Sequence, residues 1–177
     1  MPIISNIETA VLGLVCEEPR YGYELEKVIE EREMRNWTEI GFSSIYYVLK
    51  RLEKKGLIQS KVKDIEGKPA RRTYNITDDG IKTLHKTIRF HLSNTTKVTS
   101  TFDLGIAYMR FLPTNEVLIC LKKYIESINN RLSFLEEKLD EGRKTNAPFY
   151  IIALFSRPIA LLKAEKVWVE KLMDEIR

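Results

Sequence analysis

The sequence lacks the features that mark several large classes of protein. Only two cysteines, Cys16 and Cys120, occur among 177 residues, so a disulfide framework is excluded and both thiols are predicted to be reduced and buried. No apolar run approaches the roughly 20 residues that a membrane-spanning helix requires. The first residues, MPIISNIE, contain neither the basic nor the apolar region of a signal peptide. These absences predict a soluble, cytoplasmic protein.

Motifs of catalysis and of metal or cofactor binding are also missing. The two histidines, His85 and His91, are six positions apart, so they do not share one face of a helix. No cluster of cysteine and histidine has metal-ligand spacing, and there is no P-loop, no G-x-G-x-x-G and no G-x-S-x-G. The sequence therefore predicts a protein that is not an enzyme and that carries no cofactor and no metal.

What the chain does contain is an uneven distribution of charge. The net charge is +4 and the pI is about 9.0, which alone favours a polyanionic partner only weakly. Residues 17–39 hold eight acidic and four basic side chains, a net charge of −4. Residues 50–72 hold nine basic and three acidic side chains, a net charge of +6. The positive charge is thus concentrated in one stretch.

That stretch begins with a helix, predicted over residues 43–55, that has one apolar and one basic face. At about 100° per residue the apolar side chains fall on one side and a tyrosine lies among lysines on the other. One interpretation is a DNA-recognition helix in which Ser43, Ser44 and Tyr47 reach base edges or phosphates. In that interpretation the backbone would be clamped by Lys50, Arg51 and Lys54. The alternative is an ordinary amphipathic helix with a solvated lysine face.

A β-hairpin is predicted directly after this helix. Residues 58–63 and 73–76 alternate as strands do, and residues 64–69 are rich in turn formers. As the wing of a DNA-binding domain, the hairpin would place Lys68, Arg71 and Arg72 along the phosphates. The alternative is a charged surface turn.

The order of elements predicts a mainly α fold with two domains. Helices over residues 5–16 and 21–34 precede the basic helix, and a fourth helix carries Ile81, Leu84, Ile88 and Leu92 on one stripe after the hairpin. Three helices, a two-stranded wing and a fourth helix are the layout of a winged helix-turn-helix domain. We predict this domain over residues 1–92, a linker over residues 93–101 and an all-α dimerisation domain over residues 102–177.

The C-terminal region is predicted to contain a long, coiled-coil-like helix that starts at Thr114. Apolar residues recur there at alternating steps of three and four for three heptads. These residues are Leu118, Leu121, Ile125, Ile128, Leu132, Leu135 and Leu139. A last helical region, in which Pro158 is expected to force a kink or a break, adds Trp168, Leu172 and Ile176. We favour a homodimer seam, although a partner helix in the same chain is possible.

Four local patterns resemble the PadR family of bacterial transcriptional regulators. They are LGL at residues 12–14, YGYEL at 21–25, SIYYVLKRL followed by GLI at 44–58, and YNITDDG at 74–80. The resemblance is specific over residues 5 to about 92 and implies a winged helix-turn-helix domain in which Tyr46 lies near DNA. Tyr47 departs from the family pattern, which often has proline there. The longer members dimerise through C-terminal helices, and some are repressors released by phenolic acids or other aromatic effectors.

Two hypotheses from different classes follow. The first is a homodimeric winged-helix repressor that binds double-stranded DNA at an operator with two-fold symmetry and is released by a small effector, with Tyr46 at the domain edge and Tyr47 facing the groove. The second is a helical adaptor that binds other proteins and has a degenerate winged-helix domain. Binding to random duplex at low salt separates them, because only the first should bind.

Overall fold

The computed structural model of the chain describes residues 4–38, 40–41, 45–65, 68–95 and 100–176, with the side chains of 63–65 and 68–71 left undescribed. The chain divides into two compact units, Met1–Lys97 and Val98–Arg177, and the division falls inside the segment predicted as a linker.

The N-terminal unit has the predicted winged helix-turn-helix layout. Its helices and strands are α1 (Asn6–Glu17), β1 (Arg20–Tyr21), α2 (Gly22–Glu31), α3 (Ile45–Lys54), β2 (Ile58–Ile65), β3 (Lys68–Ile76) and α4 (Asp78–Ser93), with a 3-10 turn at Met34–Asn36. The strands form one antiparallel sheet in the order β1-β3-β2. Strand β1 was not predicted, because two residues are too few to show an alternating pattern.

The first helix begins with a capping box made by Ser5 and Glu8. The Ser5 hydroxyl accepts a hydrogen bond from the Glu8 backbone at 3.3 Å, and the Glu8 carboxylate accepts one from the Ser5 backbone at 2.9 Å. Helix α1 then buries Val11, Leu12, Leu14 and Val15 in the core. The prediction that Cys16 and Cys120 are buried is wrong, since both lie on exposed helix faces.

The core of this unit is made by α1, α2 and α3. The side chains of Leu12, Leu25, Ile29, Ile45, Leu49 and Leu52 are fully buried in it. Burying each of these contributes about 1.5–3 kcal/mol relative to exposure. The predicted apolar face of α3 is therefore confirmed, and it fixes which side of that helix points outward.

The segment YNITDDG forms the corner between the hairpin and α4. The Thr77 hydroxyl accepts from the Gly80 backbone at 3.0 Å and donates to the Gly56 carbonyl at 2.7 Å. The Thr77 backbone donates to the Leu57 carbonyl at 3.1 Å. A Cβ atom on Gly80 would lie only 2.1 Å from that carbonyl oxygen, so only glycine fits this close approach.

Helix α4 buries a different stripe from the predicted one. Gly80, Leu84 and Thr87 face the core, whereas Ile88 is 41% and Leu92 is 85% exposed. The buried face follows Gly80 because that glycine sets how closely the first turn approaches Leu57. The apolar spacing alone could not reveal this.

Over its described residues 100–176 the C-terminal unit contains helices and no strands. It contains α5 (Thr101–Tyr108), α6 (Thr114–Lys144) and α7 (Phe149–Ile176), with a 3-10 turn at Met109–Phe111. Helix α6 ends at Lys144, two residues after Gly142. Pro158 was predicted to force a kink or a break, and there is no break, since α7 continues through that residue.

Helices α6 and α7 pack against each other as an antiparallel hairpin. Tyr124 of α6 contacts Glu165 in the second half of α7, whereas Gly142, in the last turn of α6, lies beside Ile152 near the start of α7. Glu136 contacts Lys163 between these two points, so the helices run in opposite directions. Leu121, Ile128, Leu132, Leu135 and Leu139 are buried in this packing, and Leu118 and Ile125 are partly buried. The partner of the heptad in this unit is thus a helix of the same chain, which was the alternative to a dimer seam.

Candidate nucleic-acid interface

Helix α3 presents a tyrosine and two lysines to solvent. Tyr47 is 63% exposed, and Lys50 and Lys54 are exposed beside it at helical spacing. We call these three residues the outer stripe. Their position opposite the buried Ile45, Leu49 and Leu52 agrees with the sequence pattern, and it makes the outer stripe a part of α3 that a large partner can reach.

Arg51 lies beside the outer stripe and supports the tyrosine. Its guanidinium carbon is 5.7 Å from the centre of the Tyr47 ring. A cation over an exposed aromatic ring is worth about 0.5–1 kcal/mol. The contact therefore favours the position of the Tyr47 ring beside Arg51 while the ring stays exposed.

Arg51 and Lys55 also face α1, where Glu8 binds both. Lys55 Nζ is 2.6 Å and Arg51 Nε is 3.3 Å from Glu8 Oε1, and the Glu8 side chain is 2% exposed. Burial alone would raise the pKa of Glu8, but the hydrogen bonds from Lys55 and Ser5 and both positive charges together hold the pKa below its usual 4.5. Arg51, predicted to clamp DNA, is therefore engaged by a carboxylate of its own domain.

The opposite flank of α3 faces α2 and the wing. The Tyr46 ring is 61% exposed and lies over Gly22 at the start of α2. A Cβ on Gly22 would approach Tyr46 Cε1 to 2.6 Å, so the glycine of YGYEL makes room for this ring. Tyr46 thus contacts the edge of the domain while its remaining surface stays open to solvent.

Glu53, also on this flank, joins α3 to the hairpin. Its carboxylate accepts from the Ser60 backbone at 3.0 Å and from the Ser60 hydroxyl, and Arg72 Nη1 is 3.8 Å away. Burial raises the pKa of Tyr74 next to this group; Arg72 opposes the rise and Glu53 adds to it. Glu53 therefore fixes the base of the wing relative to α3, and Arg72 remains 56% exposed.

Not every predicted contact residue can be placed. Ser43 and Ser44 lie outside the described residues, and so do the side chains of Lys68 and Arg71 in β3. Sequence reasoning missed Lys61, which is exposed on β2 opposite Thr73 and adds a cation to the wing. The alternating lysines of that strand, Lys61 and Lys63, could have indicated that Lys61 belongs to the basic surface of the wing. It also missed Glu8 as a partner of α3, for which no local signal exists.

Other kinds of site are not found among the described residues. No three histidine, cysteine, aspartate or glutamate side chains come together there as metal ligands would. None of the described helices combines the length and the apolar character that crossing a bilayer requires.

Comparison with known proteins gives this geometry a context. The sequence profile of the Transcriptional regulator PadR-like family matches residues 11–86. Uncharacterized protein X of Lysinibacillus sphaericus is 35% identical over 78 residues, which are 44% of this chain and 71% of that protein. The chain belongs to the PadR-like family. The matched residues include all of α2, α3 and the hairpin.

Solved structures share the fold of this PadR-like chain along nearly all its length. Bacillus subtilis PadR in complex with operator DNA matches with a TM-score of 0.80 and 21% identity, covering 98% of this chain and 100% of that one. Bacillus subtilis PadR in complex with p-coumaric acid matches with a TM-score of 0.78 and 22% identity, covering 96% and 98%. At this identity the likeness shows the fold, a winged helix-turn-helix followed by a long helical region.

Proposed function

We propose that the chain is a transcriptional repressor that binds an operator of two-fold symmetry as a homodimer and leaves it when a small aromatic effector binds. The observation that carries the proposal is the outer stripe of α3, exposed beside a basic hairpin in a PadR-like domain. The structure of Bacillus subtilis PadR with operator DNA supports the choice of partner.

In this proposal α3 enters the major groove and the hairpin lies along the backbone. Lys50 and Lys54 neutralise phosphates, and Tyr47 packs against sugar or donates its hydroxyl to a phosphate or base edge. Ser43 and Ser44 reach the same groove, and Tyr46 lies near DNA at the domain edge. Along the wing, phosphates are met by Lys61, Lys68, Arg71 and Arg72.

The test is duplex binding measured by fluorescence anisotropy as salt is varied. Each phosphate contact contributes about −0.9 to the slope of log K against log[salt], so Lys54→Ala should flatten the slope by about 0.9. Lys82→Ala, which removes an exposed lysine of α4, should leave the slope unchanged. Tyr47→Ala and Ser43→Ala should alter the preference among sequences more than the slope. Absence of any binding at low salt would favour the adaptor hypothesis instead.

The homodimer requires a face other than the heptad of α6, which the chain itself covers. Leu154, Leu161 and Trp168 are exposed on α7 at steps of seven residues, the spacing of a helix–helix seam. We place the dimer contact on this stripe. Of the α7 residues predicted for dimerisation, Trp168 belongs to it, whereas Leu172 and Ile176 pack against the α6 side. Further apolar surface comes from Leu104, Tyr108, Phe111, Leu112, Ile119, Phe149 and Tyr150.

Sedimentation equilibrium tests the dimer. Leu161→Glu should raise the dimer dissociation constant at least tenfold, which corresponds to about 1.4 kcal/mol. Ser156→Glu places the same charge at an exposed position about 200° around α7 from Leu154 and should have little effect. A wild-type chain that stays monomeric at tens of micromolar would remove the dimer from the proposal.

The effector part rests on the relative that was solved with p-coumaric acid. A ligand that binds only the folded state stabilises it by about 2.7 kcal/mol at one hundred times its Kd, so p-coumaric acid should raise the melting temperature and release bound duplex. Benzoic acid serves as the control for a nonspecific carboxylate. If p-coumaric acid changes neither the melting temperature nor the duplex affinity, this acid is excluded as the effector, and the proposal of DNA binding is unaffected.

A further inference from the structure

Helix α3 carries two rows of cations, and among the described residues an acid from another helix binds one row and not the other. Lys50 and Lys54 form the row within the outer stripe, while Arg51 and Lys55, one position further along, form the row that faces α1. Glu8 lies within 2.6 Å of Lys55 and 3.3 Å of Arg51. The two rows carry equal charge on one helix but therefore differ in how readily they can bind an anion from outside the chain.

The carboxylate of Glu8 is well suited to hold this row permanently. It is buried, and it also accepts a hydrogen bond from the Ser5 backbone at 2.9 Å as part of the cap of α1. A buried carboxylate that lost its cationic partners would be left with its charge uncompensated, which is strongly unfavourable. A solvent-exposed phosphate therefore competes poorly with Glu8 for Lys55.

We propose that Glu8 is a positioning residue for DNA binding that withholds Arg51 and Lys55 from the phosphate backbone. This inference rests on the proposed function. Affinity for random duplex grows with each phosphate neutralised and carries no sequence information. Holding back one row of α3 limits that affinity and leaves contact with DNA to the outer stripe, so a larger share of the binding depends on sequence.

The experiment measures binding of the full-length chain to a 20-base-pair random duplex by fluorescence anisotropy between 50 and 200 mM salt. Glu8→Gln keeps the size of the side chain and an oxygen for the Ser5 hydrogen bond but removes the charge. The slope of log K against log[salt] should steepen by about 0.9 for each cation released, up to about 1.8. Each released cation then adds a factor of about 3.5 to the loss of affinity over that fourfold range of salt.

Matched variants separate this role from a general change of charge. Glu31→Gln removes an exposed acid of α2 that pairs with Lys27, and it should leave the slope unchanged. In the wild-type background Lys55→Ala should leave the slope unchanged, whereas Lys54→Ala should flatten it by about 0.9. The double variant Glu8→Gln with Lys55→Ala should lose about half of the steepening seen with Glu8→Gln alone.

Two results would overturn the inference. One is a Lys55→Ala variant that flattens the slope as much as Lys54→Ala, and this comparison decides the matter even where Glu8→Gln does not fold. The other is a folded Glu8→Gln variant, judged by circular dichroism, whose slope equals that of the wild type. A wild-type chain that binds no duplex overturns the proposed function itself, and this inference with it.

Discussion

Replacing Gly80 with alanine should disrupt the corner between the hairpin and α4. The added Cβ would lie 2.1 Å from the Leu57 carbonyl oxygen and 2.7 Å from Ile76 Cγ1. The oxygen belongs to the backbone and already accepts the Thr77 N–H, so it cannot move aside as a surface side chain could. The first turn of α4 must shift instead, which weakens the Thr77 cap.

The size of the effect follows from two opposing contributions. Alanine gains up to about 1 kcal/mol over glycine from helix propensity. Overpacking a well-packed site costs about 1–3 kcal/mol or more, and the backbone obstacle puts Gly80 at the upper end. The net loss should be about 2 kcal/mol. Gly13→Ala in α1, where a Cβ meets nothing within 4 Å, should show only the gain.

The assay is urea unfolding followed by tryptophan fluorescence. Trp37 lies in the N-terminal unit and Trp168 in the C-terminal unit, so a Trp168→Phe background reports the unit that contains Gly80. The Gly80→Ala midpoint should fall and the Gly13→Ala midpoint should rise. Equal midpoints for the two variants would refute the reasoning about the Leu57 carbonyl.

Three further predictions concern the ion pairs and hydrogen bonds. Glu53→Ala leaves the Ser60 backbone N–H without its acceptor and should lower stability by about 1–3 kcal/mol in urea unfolding; Glu31→Ala, which breaks an exposed pair, should change stability by at most about 0.5 kcal/mol. Tyr124 donates to Glu165 at 2.6 Å, and burial together with that bond raises the pKa of Tyr124 to about 12. The protonated Tyr124 therefore contributes its full share to the folding stability below pH 10, and this share is lost as the pH rises towards 12. Tyr124→Phe should remove that alkaline decline in stability. The pKa of Glu8 is lowered from 4.5, so the ionised carboxylate stabilises the fold above that value and this stabilisation is lost as the pH falls below it. The melting temperature of Glu8→Gln should therefore fall less steeply with acid than that of the wild type.

Features that depend on local spacing could be predicted from the sequence. The buried face of α3 follows from four apolar residues at steps of three, one and three, and its exposed Tyr47 follows from the same geometry. The capping box of Ser5 and Glu8 and the left-handed Gly56 likewise depend on neighbours in the chain. In each case the partner lies within about one helical turn.

Features that depend on distant partners could not be predicted. Glu8 and Lys55 are 47 residues apart, and the sequence gives no sign that an acid in a helix cap reaches the end of α3. The close approach of Gly80 to Leu57 likewise depends on a contact across the corner. Arg51 was therefore assigned to DNA from its charge and spacing, although the fold gives it a carboxylate partner.

The heptad of α6 shows why a correct pattern still leaves the partner undefined. A repeat of 3.5 residues indicates that one face of a helix is buried against another helix, but it does not indicate which chain supplies that second helix. A connection of only four residues, Thr145 to Pro148, returns α7 along α6, so the nearest partner is in the same chain. Because α7 covers the heptad of α6, the apolar stripe that stays exposed is the one on α7, made by Leu154, Leu161 and Trp168. The proposed dimer contact therefore lies on α7, which continues through Pro158, and Leu161→Glu tests this assignment directly.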